Sequence, residues 1–149
     1  TRLSSRRYVM KTMIWFCDNV SMGNAVKTSN LDNNLSNIVE RNTLMPWVTI
    51  ESEADYNYFT HFKDDLQKLG DTFNTTKVLL TPFAHLSHKS PTSKCAFRIM
   101  EDLENYLISC GFDVTRAHFG SAKDISFMSK AHKKQVVFRT YPNPNFLRL

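Results

Sequence analysis

The sequence predicts an α+β domain in which two helices cover a mixed, largely antiparallel sheet, and three observations carry that prediction. Two long segments place apolar residues at three- and four-residue spacing, as helices with one buried face do. Several shorter runs are rich in Val, Ile, Phe, Trp and Thr, the residues that suit a pleated, packed surface. These segments come in the order strand, strand, helix, strand, helix and then three strands, which is not the regular alternation of a wholly parallel sheet. A length of 149 residues with 42% hydrophobic content suits one domain with a real core.

Taken in order, residues 8–17 form the first expected strand. Residues 18–43 contain Asn19, Asn24, Asn30, Asn33, Asn34, Asn37 and Asn42 with Gly23. Side-chain amides bond to nearby backbone and favour turns, so loops are expected there, with a short return strand near 20–27. Residues 46–51 form the second clear strand. Ser52 and Asp55 open a helix, whose face Tyr56, Phe59, Phe62, Leu66 and Leu69 runs to Gly70 as its stop signal. Residues 77–83 read as a third strand. In the second helix Ser90 caps, Pro91 fits the first turn, and Ala96, Ile99, Met100, Leu103, Tyr106, Leu107 and Cys110 form a face ending at Gly111. Strands near 113–118, 124–129 and 134–141 follow, and neighbours in sequence there are expected to be antiparallel. The segment Tyr141-Pro142-Asn143-Pro144-Asn145 reads as a linker.

Composition excludes several classes. Nineteen Lys and Arg against fourteen Asp and Glu give a net charge of +5, which invites a polyanionic partner. The charge is uneven: residues 1–11 hold Arg2, Arg6, Arg7 and Lys11 without an acid, and residues 114–149 oppose seven basic side chains to Asp124. The middle is net acidic, so a polyanion should prefer a surface built from the termini. The apolar content is too high for a disordered chain, and the longest apolar run, Met13 to Cys17, is far short of the roughly 20 residues of a membrane span. The basic start and Tyr8–Cys17 are a poor leader peptide, because Lys11 interrupts the apolar part and Asp18-Asn19 replaces a small-residue cleavage site. Cys17, Cys95 and Cys110 form no C-x-x-C pair, so a reducing cytoplasm is the expected compartment.

Two loops could carry chemistry. The segment from Leu80 to Pro91 ends a strand and enters a helix, where ligands collect in sheet proteins. His85 and His88 lie within it, but an i, i+3 pair without a third ligand is a weak metal signal; an orienting or catalytic His85 stays open. The second loop, His118 to Asp124, holds Gly120, which can adopt angles closed to other residues, and Lys123, which offers charge to a phosphate or oxyanion. An ordinary turn with a solvated lysine explains it equally well by composition. Cys17 reads as a packed thiol, and Asp64, Asp65, Glu101, Asp102 and Glu104 read as solvated helix-face acids. Four glycines in all leave no phosphate-cradling loop.

Together these motifs carry a resemblance. Pro82-Phe83-Ala84-His85-Leu86-Ser87, a capped helix, Gly111-Phe112-Asp113-Val114, the Phe119-Gly120 turn with Lys123, and Arg139-Thr140 look like the N-terminal editing domain of archaeal-type threonyl-tRNA synthetases. The likeness runs from about Met13 to Tyr141 and is strongest over 78–123. It implies a fold like that of D-aminoacyl-tRNA deacylases, homodimers, and hydrolysis of the ester between serine and the terminal adenosine of threonine tRNA. By that resemblance Lys123 and His85 are the catalytic candidates, and Ile50, Pro82, Phe83, Ala84, Phe119, Gly120 and Ala122 line the substrate pocket. Lys123 would position or activate water, helped by a ribose hydroxyl of the tRNA, with no metal and no cofactor for editing; the full synthetase would use ATP, Mg and Zn.

The resemblance further implies one editing domain over residues 1–141, with 1–9 as a basic extension and 142–149 as the start of a linker to a synthetase core that this chain lacks. Two positions depart from the family pattern: Ala122 stands where an aromatic Tyr is usual, and Val136 where a Glu is usual. The alternatives are a D-aminoacyl-tRNA deacylase, disfavoured because no Gly-Pro dipeptide occurs, and a non-catalytic tRNA-binding module. Lys130, Lys133, Lys134 and Arg139 are expected to flank the pocket and receive the acceptor end of tRNA in the cytoplasm.

Overall fold

The computed structural model describes residues 10–84, 86 and 91–142. The basic extension at 1–9, His85, the segment 87–90 with His88 and Ser90, and the proposed linker from Asn143 onward lie outside the described residues. The order is β1 (Lys11–Lys27), β2 (Ile38–Thr49), a 3-10 turn (Glu53–Tyr58), α1 (Phe59–Phe73), β3 (Lys77–Pro82), α2 (Ser93–Ser109), β4 (Asp113–Arg116), β5 (Ser121–Met128) and β6 (Val136–Thr140). The α+β class and the two helices are as expected.

The main departure is β1. It continues through the Asn-rich stretch to Lys27, where a separate return strand near 20–27 was expected. Val20 and Met22 are buried while Ser21 is exposed, so the alternation was present but short. Asn24 takes a left-handed φ of 51° where the pairing of β1 with β5 shifts register between Gly23 and Val26. A bulge of this kind bends a strand and tightens its twist. β2 likewise begins earlier than expected, at Ile38.

The sheet order is β4-β3-β2-β1-β5, with β6 also paired to β1. β2, β3 and β4 are parallel to one another, and β1 is antiparallel to β2, β5 and β6. β5 and β6 share one edge of β1: β5 pairs with residues 19–27 and β6 with Lys11 to Trp15. β5 and β6, each antiparallel to β1, therefore run in the same direction, and the expectation that strands adjacent in sequence at the C-terminus are antiparallel fails for them. Each has an edge of the long β1 available, and pairing there satisfies its backbone without a hairpin.

Both faces of the curled sheet are packed. Ile14, Leu44, Val48, Val78 and Leu80 meet Phe59, Phe62 and Leu66 of α1 and Ile99, Met100, Leu103 and Leu107 of α2. The opposite face buries Cys17, Val20, Met22, Ile38, Met45, Leu79 and Ala117, with Trp15, Trp47 and Phe127 around them. A buried aliphatic side chain contributes about 1.5–3 kcal/mol. Burial pushes the Cys17 thiol up to about 12, in keeping with a packed rather than reactive cysteine.

The helix ends also differ from the expected ones. α1 runs through Gly70 to Phe73 and is closed by Asn74 in the left-handed region, φ 52°. Gly70 is there for space: a Cβ would stand 2.6 Å from the carbonyl oxygen of Thr75. α2 is capped by Thr92, whose hydroxyl accepts from the Cys95 amide, so Pro91 precedes the cap; Gly111, φ 97°, follows its end as expected. Tyr141 is not linker but core, 2% exposed, and donates to Asp65 at 2.7 Å. Asp65 and Glu104 are accordingly bonded groups, Glu104 accepting from Arg116.

Candidate functional site

A cavity of about 660 Å³ opens where the carboxyl ends of β2 and β3, the start of α2 and the turn leading into β5 converge. That volume is ordinary for a small-molecule site. Its wall includes Ile50, Pro82, Phe83, Ala84, Phe119, Gly120, Ala122 and Lys123. These candidates come from three segments that only the fold brings together. His85, the remaining one, lies outside the described residues.

Each segment is held by identifiable bonds. The Phe83 amide donates to the Val48 carbonyl at 2.9 Å, and the Thr49 hydroxyl donates to the Phe83 carbonyl. The Leu86 amide in turn donates to Thr49 Oγ1 at 3.3 Å, so the chain leaving β3 is fastened to the end of β2. Trp47 packs its ring 5.2 Å from Phe83 and 5.7 Å from Trp15, giving the cavity an aromatic side. Ile50 is steadied from behind, where the Glu51 amide donates to Asp55 at 2.7 Å and Lys11 pairs with Glu51 at 2.9 Å.

Among the described residues of this wall, Lys123 is the cationic group. Its ammonium is partly buried and donates to the carbonyls of His118 and Ser121, each at 3.3 Å. Among the described residues no carboxylate lies within ion-pairing distance of it. Burial lowers its pKa, because a desolvated ammonium is disfavoured relative to the amine. Ala122, on an exposed stretch beside it, presents only a methyl group, and Val136 lies on β6, opposite Trp15.

Several lining residues escaped sequence reasoning: Thr28, Ser29, Trp47, Ser93, Ala96, Met100, Ser121 and Ile125. The Asn-rich stretch read as loose loop supplies Thr28 and Ser29, whose amides donate to the Gly120 carbonyl at 2.8 and 3.2 Å. No local signal marks them, since their partner is more than ninety residues away.

The expected basic flank of the pocket is not what the fold builds. Lys130 sits by Asp18 at 3.8 Å, and His132 packs on Phe73 at the end of α1, beside the start of β3. The cavity lies at the other end of β3, and none of Lys130, Lys133, Lys134 and Arg139 lines it. Among the described residues no group of three His, Cys, Asp or Glu side chains could hold a metal, and no helix is long and apolar enough to cross a membrane.

Comparison with known proteins agrees with this geometry. Residues 10–140 match the family described as the archaea-specific editing domain of threonyl-tRNA synthetase. A threonine–tRNA ligase editing subunit of Saccharolobus solfataricus is 32% identical over 98 residues, covering 66% of this chain and 25% of that one. Threonine–tRNA ligases of Thermococcus sibiricus and Methanobrevibacter smithii are each 32% identical, over 76 and 101 residues, covering 51% and 66% of this chain. The matched segments span only 12% and 17% of those ligases. A family match across nearly the whole described chain, on a fold that gathers the matching motifs around one cavity, leads to one conclusion: this chain belongs to the editing-domain family of archaeal threonyl-tRNA synthetases, whose role is proofreading.

Proposed function

We propose that the domain hydrolyses the ester of seryl-tRNA(Thr). Water attacks the ester carbonyl carbon, the bond to the ribose oxygen breaks, and the proton lost by water passes to that oxygen, giving serine and free tRNA. The observation that carries the reading is Lys123, a partly buried ammonium in the wall of a cavity of suitable size, bonded only to turn carbonyls among the described residues. A positive group held in a partly dry wall stabilises charge developing on the ester oxygen far better than one in water. His85 is the second proposed catalytic residue.

The chemical need for such a site is clear. A synthetic pocket for threonine gains only about 1–3 kcal/mol from the extra methyl, so serine must be removed at a second site. There selectivity runs the other way: serine leaves room for water, and the methyl of threonine crowds it out. Pro82, Phe83, Ala84 and Ile50 are proposed to hold the amino acid, and Phe119, Gly120 and Ala122 the terminal adenosine. Both ligases and a separate editing subunit occur among the relatives matched, and this domain acts as the editing part in either arrangement.

The test is single-turnover hydrolysis of seryl- and threonyl-tRNA(Thr). Rapid loss of the seryl ester with slow loss of the threonyl ester is expected; equal rates on both, or none on the seryl ester, overturn the reading. Faster hydrolysis of D-tyrosyl-tRNA would favour a D-aminoacyl-tRNA deacylase. We also propose a homodimer formed through the open side of the β1–β6 edge. Phe138 and Val136, 49% and 41% exposed, pair with Met13 and Trp15 and give that face an apolar stripe. Light scattering should give twice the chain mass, and F138E should give a folded monomer; an unchanged mass in F138E removes the surface from consideration.

A further inference from the structure

The turn that carries Phe119, Gly120 and Lys123 is held from the side of the β1–β2 connection, and one carboxylate is at the centre of the hold. Asp32 is 3% exposed. Its Oδ2 accepts from Arg116 Nη1 at 2.7 Å and from the Phe119 amide at 2.9 Å, while Oδ1 accepts from the Asn34 amide at 2.9 Å. The Asp32 carbonyl oxygen lies 2.8 Å from His118 Nε2, which donates to it. Four and three residues back, the Thr28 and Ser29 amides donate to the Gly120 carbonyl, and the space beside the Gly120 Cα is filled by Ser29, 2.6 Å from where a Cβ would stand.

Arg116 completes the hold. Its side chain is 8% exposed, its Nε donates to Glu104 at 2.7 Å, and its guanidinium lies over the Phe97 ring, 5.3 Å from the centroid. Phe97 itself packs 5.3 Å from Phe119. So β4, α2 and the β1–β2 connection all meet at one turn. Lys123 hangs on that same turn through the carbonyls of His118 and Ser121, and any shift of the turn moves the ammonium with it.

A buried ion pair of this kind is a poor source of stability. Desolvating two charges costs several kcal/mol, and an apolar replacement of similar volume often does as well. What the pair supplies is direction: the bonds to Phe119, Asn34 and Glu104 allow one arrangement of the turn, and a catalytic group needs placement to within a fraction of an ångström. We propose that Asp32 and Arg116 are a positioning pair for the cavity, fixing the Phe119–Gly120 turn and through it the placement of Lys123. The kinetic part of this proposal rests on the hydrolytic reading above; the structural part does not.

The experiment uses the whole chain and three variants. D32N keeps the shape but removes the charge facing Arg116 and leaves one acceptor oxygen where the carboxylate has two, so its NH2 group must face either the Asn34 amide or the Phe119 amide and Arg116; R116Q removes the other partner, and R116K keeps charge without the planar fork. The Lys123 ammonium is titrated by NMR on the isotope-labelled, reductively methylated domain, and kcat, KM and the thermal midpoint are measured beside it. In the folded D32N domain the turn loosens, Lys123 becomes more hydrated, and its pKa rises toward the ordinary lysine value. The seryl ester is then cleaved about ten- to a hundredfold more slowly, the scale expected for a displaced catalytic group, with KM changed less than threefold.

R116K should recover part of the loss that R116Q shows, and D32N with R116Q together should cost no more than the worse of the two alone. A D32N domain that melts earlier but titrates Lys123 and turns over as the native one does would make the pair purely structural and overturn the proposal. If the native domain cleaves no seryl ester, the hydrolytic reading falls, and the Lys123 titration still decides whether the pair positions the turn.

Discussion

Replacing Lys123 with methionine separates charge from packing at the centre of the site. Methionine keeps a linear apolar stem, so the variant loses the ammonium and with it two hydrogen bonds, each 3.3 Å to a turn carbonyl. Hydrogen bonds contribute about 0.5–1.5 kcal/mol net when well formed, and these are long. Burial already disfavours the charged form, as the lowered pKa of Lys123 records, so removing the charge returns part of that cost. The two effects offset, and K123M should lie within about 1 kcal/mol of the native domain, a shift of less than about 4 °C in thermal midpoint. Losing one preorganised electrostatic donor at a developing oxyanion costs about a hundred- to a thousandfold in kcat, or roughly 2.7–4 kcal/mol. The assay is single-turnover release of serine from labelled seryl-tRNA(Thr) at saturating enzyme, next to a melting curve. A folded K123M domain that cleaves within threefold of the native rate would refute the assignment of charge stabilisation to this lysine.

Two further predictions concern stability. Gly120 has a φ of 82° and no room for a Cβ beside Ser29, so G120A should cost about 2–4 kcal/mol, from left-handed strain and overpacking together, read as a lower midpoint in urea. Asp55 is wholly buried and its carboxyl is pushed up to about 7, chiefly by desolvation, with Glu51 adding to the rise and the Glu51 and Ser52 amides and Lys11 opposing it. A carboxyl whose folded pKa exceeds its unfolded value binds more protons when folded. Its contribution is therefore full below about pH 4 and is lost as pH rises through about 7, by at most about 4 kcal/mol. D55N should flatten that part of the stability profile; an unchanged slope between pH 4 and 7 would show that Asp55 is not its source.

The readable parts of this sequence were those whose partners are close in the chain. α2 is an example: its apolar face and Gly111 follow from spacing and local backbone alone, although the cap proved to be Thr92. β3, with Val78, Leu79 and Leu80 buried on both sides, was equally plain. The missed parts depend on distant partners. Asn24 and its neighbours read as a short, separate return strand among loops because amide side chains favour turns, yet the edge offered by Ala122 to Met128 drew them into β1. Gly70 looked like a stop, and α1 continued because Asn74 could take the left-handed angle four residues on.

The site divides in the same way. Composition and motif spacing marked the two loops at 80–91 and 118–124, because a strand end before a helix and a glycine turn with a lysine are local features, and only the resemblance named Pro82, Phe83, Ala84 and Phe119 within them as site residues. Composition and spacing also determined the fold class and, through the resemblance, the family. The sequence could not place the Lys130–Lys134 segment, which the fold sets by Asp18 and beside the start of β3 and not in the wall of the cavity it was expected to flank. Nor could it show that Asp32 reaches Arg116 and Phe119 across more than eighty residues. Local propensity acts over a few residues, whereas a bond between segments far apart forms only once the sheet has curled and brought their backbones together. The chemistry of each group was decided by the sequence, and its company in the cavity by the tertiary structure alone.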